Sequence, residues 1–125
     1  MSGSLKSVDG LSGCSLYYCE QQVNFTTNMT ITAFSAVITI QKGIYNLTYN
    51  NAYTNFPFTP NITEETTSTQ MIYSFFFQTG QITAGGYMNA AQFLIPGVNR
   101  TTSSDTYSIT TTNICGQVNS VSGTF

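Results

Sequence analysis

The feature that most narrows the possible folds is a two-residue alternation from Gln70 to Ile109, cut at intervals by chain-reversing residues. Ile72 and Ser74 alternate with Tyr73, Phe75 and Phe77. Successive side chains of a strand point to opposite sides, so this run predicts a strand with two unlike faces. Thr79-Gly80 closes it, and Ala84-Gly85-Gly86 precedes the next run, where glycine supplies the positive φ of a tight reversal. Tyr87 to Ile95 reads as a second strand, stopped by Pro96-Gly97 because proline has no N–H to give to a ladder. A Ser/Thr loop then leads into a third extended segment, Asp105 to Ile109.

The remaining chain reads the same way. Leu16 to Cys19 is a short aromatic first strand, and Val23 to Ala33 alternates through Val23, Phe25, Met29, Ile31 and Ala33. Phe34 to Gln41 places Ala36, Ile38 and Ile40 on one face before Lys42-Gly43 ends it. Ile44 to Tyr49 sets Tyr45, Leu47 and Tyr49 on one side. Asn50 to Asn61 reads as a loop carrying Tyr53, Phe56 and Phe58, and the polar Glu64 to Ser68 leads into the central stretch. Gln117 to Phe125 alternates weakly through Val118, Val121 and Phe125. Residues 1–13, rich in Ser and Gly, read as a flexible lead-in or linker, with one domain over residues 14–125. Helical periodicity is absent. Seven to nine strands at a spacing of about 8–12 residues predict an all-β, antiparallel, immunoglobulin-like β-sandwich. A small closed barrel is the alternative.

Charge removes several classes of function. Charged residues make up 6 % of the chain, against roughly 25 % in ordinary soluble domains. Three cations and a net charge of −2 cannot build a phosphate-binding stripe, so nucleic acid is not an expected partner. No run approaches the roughly 18–20 apolar residues of a membrane span. Without histidine or a Cys-x-x-Cys pair no metal site is expected, and no cofactor motif stands out. The same lack of histidine leaves no ordinary nucleophile–base relay. The carboxylates Asp9, Glu20, Glu64, Glu65 and Asp105 offer no obvious pair at the roughly 5–10 Å of a glycosidase. A non-catalytic protein is expected.

Cys14, Cys19 and Cys115 are the cysteines. A Cys19–Cys115 bridge, clipping the first strand to a late one, is the first expectation. Cys14–Cys115, a short Cys14–Cys19 clip, or three free thiols are the alternatives. Asn24, Asn28, Asn46, Asn61 and Asn99 each open an Asn-x-Thr sequon and are candidate glycosylation sites.

Tyr45, Tyr49, Tyr53, Phe56 and Phe58 gather within a short stretch. Sugars present apolar C–H faces that stack on such rings, while Asn, Gln and Thr supply uncharged hydrogen bonds, so a neutral β-linked polysaccharide is the expected ligand. The plain structural reading has Tyr45 and Tyr49 half-buried in a sheet, and Phe56 and Phe58 plugging one end of the sandwich. For Phe58, Phe75 and Phe77 the core is the natural place.

Several segments resemble family 2 carbohydrate-binding modules. Phe34-Ser-Ala-Val-Ile-Thr-Ile is similar to that family's second strand. Thr79 to Gly86, followed by Ala90-Ala91-Gln92-Phe93, resembles its late turn and the strand after it, and Ser104 to Ile109 its last strand. The resemblance implies a carbohydrate-binding-module-like sandwich that holds cellulose or chitin without chemistry. It also implies an extracellular setting, secreted or in a cell wall, with attachment to a parent enzyme or wall protein through a flanking linker. The family's usual row of three tryptophans is missing; the corresponding positions fall near Thr30, Tyr53 and Gln78, with Phe77 adjacent to the last. Tyr53 is therefore the leading stacking residue, supported by Tyr49, Phe56, Tyr45 and Phe77. The alternative function is a structural or adhesive, N-glycosylated subunit of an extracellular matrix or filament, self-associating through a strand edge such as Gln117 to Phe125.

Overall fold

A computed structural model of the chain describes residues 5–125. Its nine strands are β1 (Leu5–Cys14), β2 (Tyr18–Thr27), β3 (Ile31–Gln41), β4 (Thr48–Thr54), β5 (Asn61–Thr66), β6 (Gln70–Phe77), β7 (Gly85–Leu94), β8 (Thr106–Asn113) and β9 (Val118–Thr124). They form a first sheet in the order β1-β2-β7-β4 and a second in the order β5-β6-β3-β8-β9. Every adjacent pair is antiparallel. The protein is an all-β sandwich.

Alternation decides which residues fill it. In β2, Cys19, Gln21, Val23, Phe25 and Thr27 are buried while Glu20, Gln22 and Asn24 face out. β3 buries Phe34, Ala36, Ile38 and Ile40, and β6 buries Met71, Tyr73, Phe75 and Phe77. Enclosing side chains of this size on the inner faces, each worth about 1.5–3 kcal/mol, is the main driving force for folding. Toward one end the core becomes aromatic. Phe34 lies 5.3 Å from Phe25, 5.8 Å from Phe77 and 5.1 Å from Phe56, ring centre to ring centre. Phe56 and Phe77 are thus packing residues, 8 % and 4 % exposed, and neither ring is available to a sugar.

Three expectations about the extent of the strands are corrected. Residues 5–13 are not a lead-in: they pair with β2 as an edge strand, anchored by the fully buried Leu5. Residues 1–4 lie outside the described residues. The strand expected over Ile44 to Tyr49 begins only at Thr48 and runs to Thr54, through the stretch read as loop, because β7 offers those residues a ladder. Glu64 to Thr66 likewise belongs to a strand, β5.

The disulfide is Cys14–Cys19, not Cys19–Cys115. Cys14 and Cys19 face each other as the last pair of the β1–β2 hairpin, with Cα atoms 4.0 Å apart. Cys115 is an exposed free thiol in the β8–β9 turn, and its neighbour Ile114 donates its N–H to the Thr30 carbonyl just beyond the far end of β2. The length of β2, roughly 30 Å, separates Cys19 from that turn.

The sheets are tied together by a buried ion pair. Arg100 holds Asp105 with both guanidinium nitrogens, at 2.7 and 2.8 Å, and the two side chains are 3 % and 0 % exposed. The Gln21 amide of the first sheet donates to Asp105 at 2.7 Å, and the Gln41 N–H of the second donates at 2.8 Å. Arg100 also donates to the Gln41 carbonyl at 2.8 Å and lies over the Phe93 ring at 5.3 Å. Removing one partner strands the other charge in the interior. Asp105→Ala is expected to lose about 3–5 kcal/mol of stability in urea unfolding; a loss below about 1 kcal/mol, the worth of a surface pair, would refute this role.

Candidate functional site

The outer face of the first sheet carries a connected row of polar groups. Strand alternation places Glu20, Gln22 and Asn24 of β2 on this face. Pairing aligns them with Gln92, Ala90 and Met88 of β7, and β4 adds Asn51 and Tyr53 opposite Gln92 and Ala90. The Glu20 carboxylate is the hub. It accepts from the Tyr53 hydroxyl at 2.7 Å, from the Gln92 amide at 2.6 Å and from the Gln22 amide on its other oxygen. Asn24 in turn donates through its side-chain amide to the Gln22 Oε1 at 3.5 Å.

Tyr53 and Glu20 sit on strands separated by β7, two ladder spacings or about 9–10 Å apart. For its hydroxyl to reach Glu20, the Tyr53 ring must cross over β7. Its paired neighbour there is Ala90, which faces outward yet is 0 % exposed, so the ring covers the small methyl group. A ring laid against a sheet keeps its opposite side for solvent. Tyr53 is half-buried, and the side of its ring turned away from the sheet is bordered by Gln92, Gln22 and Asn51.

Electrostatics follow from the same contacts. Partial burial opposes the charge on Glu20, but the hydrogen bonds from Gln92, Tyr53 and Gln22 outweigh it and hold the carboxyl below its ordinary range. The hydrogen bond to Glu20, with burial and the nearby charge, pushes the Tyr53 phenol up to about 12. Tyr18, on the same face, is raised mainly by burial and then by the Glu20 charge. Beside this array lies a shallow recess of about 400 Å³ lined by Leu11, Ser12, Gly13, Tyr18, Glu20 and Gln22. Gly13 is paired directly with Glu20, and a methyl group built there would meet nothing within 4 Å. Glu20 is therefore open on the β1 side.

No protein-family model matches this chain, and no curated protein matches it either.

The five aromatic candidates separate. Tyr53 alone reaches the outer face of the first sheet. Tyr49 points the other way, stacking on the buried Tyr73 at 5.7 Å although the residue is 42 % exposed. Tyr45 is half-buried in the β3–β4 loop, and Phe56 and Phe77 are in the core. Of the sequon asparagines, Asn28, Asn46, Asn61 and Asn99 are exposed in turns or at a strand start, whereas Asn24 stands within the polar row. Among the described residues, no group of three or more His, Cys, Asp or Glu is placed to hold a metal ion, and no helix is long and apolar enough to cross a membrane.

Sequence reasoning missed Glu20, Gln22, Gln92 and Tyr18. The signal was present: the alternation of β2 extends back from Val23 to Cys19, which puts Glu20, Gln22 and Asn24 on one face.

A phenol whose pKa is higher in the folded state favours folding below its unfolded value and loses that contribution as pH rises through the folded one. Tyr53 should therefore stay protonated above its ordinary 10.0, ionising only near about 12. Ultraviolet phenolate titration is expected to show a late class of tyrosines that shrinks in Tyr53→Phe; an unchanged curve would contradict the Tyr53–Glu20 bond.

Proposed function

We propose that this protein is a non-catalytic carbohydrate-binding module, holding a β-linked polysaccharide of the cellulose or chitin class on the outer face of its first sheet. The observation that carries the reading is Tyr53, paired with Ala90 and reaching from β4 past β7 to Glu20 through its hydroxyl, on a face that also bears the Gln92, Gln22 and Asn51 amides. A sugar ring stacks through C–H groups on a flat aromatic surface, and its hydroxyls need donors and acceptors at the rim; this face supplies both. The likeness of Phe34 to Ile40, of Thr79 to Gly86, of Ala90 to Phe93 and of Ser104 to Ile109 to family 2 modules supports the same reading. So does the Cys14–Cys19 disulfide, which is compatible with an extracellular setting where such modules serve a parent protein.

The expected outcome is depletion of the protein from solution by insoluble cellulose or chitin, with albumin as the inert control. Tyr53→Ala should weaken binding by about 10- to 100-fold, the worth of burying one aromatic ring. Tyr53→Phe, which keeps the ring, should lose less. Full retention of binding by Tyr53→Ala would remove the site.

A structural or adhesive role has its own supporting observation. β9 is an edge strand of the second sheet with no charge, proline or bulge along Val118–Thr124, whereas β5 carries Glu64 and Glu65 and β4 is bulged near Asn50. Undefended edges invite pairing with another chain. The exposed Cys115 lies in the turn that leads into β9. On this reading size-exclusion chromatography shows species larger than the monomer that shrink with reductant or with Ser120→Lys; a strict monomer throughout rules it out.

A further inference from the structure

The charge pattern of the candidate face narrows the class of polymer. Two carboxylates stand on it: Glu20, and Asp9, which is exposed on β1 opposite Asn24. The cations are occupied or distant. Arg100 is buried against Asp105, and Lys42 donates to the Thr67 carbonyl at 3.0 Å. Lys6 sits at the irregularity between Leu5 and Ser7, beside the Thr26–Thr27 end of β2. That is six or seven residues from Glu20 along the strand, about 20 Å, and beyond the roughly 8–10 Å over which salt leaves a charge visible.

Glu20 already accepts three hydrogen bonds from neutral donors, so its charge is solvated but not neutralised. It lines the recess on the β1 side, and the bare Gly13 opposite leaves that approach clear. An ammonium group entering from the β1 side would meet the carboxylate in a charge-assisted hydrogen bond, the stronger kind. A uronic-acid polymer would meet repulsion instead. We infer that the face selects β-linked amino sugars, binding partly de-N-acetylated chitin in preference to fully acetylated chitin or cellulose, with Glu20 as the specificity-determining residue. This inference rests on the sugar-binding reading above.

The test compares adsorption on cellulose, on acetylated chitin and on partly de-N-acetylated chitin, in mildly acidic buffer where the polymer amines are protonated and in alkaline buffer where they are not. The expected result is a preference of about tenfold for the de-N-acetylated solid in acid, the scale of one hydrogen bond to a charged group. That preference falls with added salt and disappears in alkaline buffer. Glu20→Gln should abolish it. So should Gly13→Lys, which sets a cation beside Glu20 where there is open space. Glu65→Gln, on the second sheet, should leave it unchanged, and circular dichroism checks that each variant is folded. Equal binding to all three solids overturns the inference and leaves the module reading standing. Equal losses in Glu65→Gln and Glu20→Gln also overturn it, because they show attraction to overall charge alone. Failure to bind any of the solids overturns both readings together.

Discussion

The bond between Arg100 and Asp105 is the point on which the two sheets agree about their relative position. Hydrophobic burial presses sheets together but is indifferent to small sliding, since apolar contact is non-directional. Asp105 removes that freedom by accepting from Gln21 in one sheet and from the Gln41 backbone in the other, while Arg100 fixes its orientation. The cost of drying both charges is offset only because each is so fully hydrogen-bonded. Gln21 is pulled inward by this contact, which helps to set the phase of β2. With Gln21 inside, Glu20 and Gln22 must lie outside. The core ion pair and the polar face are thus two consequences of one strand phase.

The fold was legible because alternation is a local signal. In β3 and β6 the inner row, Phe34 to Ile40 and Met71 to Phe77, follows directly from a period of two. Boundaries failed where strands are held by partners and not by pattern. β4 contains Asn50 and Asn51, which on their own favour turns, and it forms because β7 supplies a ladder on its open side. β1, with Gly10 and Gly13, is extended for a similar reason, pairing with β2 and held by the buried Leu5.

The candidate site was legible only in Tyr53. Clustering in sequence suggested that Tyr45, Tyr49, Phe56 and Tyr53 act together, but strands and loops scatter sequence neighbours over different faces. Phe56 and Phe77 are large apolar groups close to the open end of a sandwich, and burial is worth more to them than display. Tyr49 and Tyr53 are an even number of residues apart and should share a face on a regular strand. The register shift between Tyr49 and Asn51 breaks that rule, turning Tyr49 inward to Tyr73 and Tyr53 outward to Glu20. Long-range choices of this kind, including which cysteine meets Cys19, depend on strand order and are not written in any short window.

The same irregularity makes β4 and β2 unequal in their tolerance of lost residues. Removing Asn50 would leave Tyr49 opposite Phe93 and Asn51 opposite Gln92, so a one-residue deletion there straightens the strand without changing what faces where. A deletion within Glu20 to Asn24 has no spare residue to absorb it. It would exchange the two sides of β2 beyond that point, carrying polar groups into the core and core groups into water. Natural length variation in this lineage should therefore collect at Asn50 and in the turns, while β2 keeps its count.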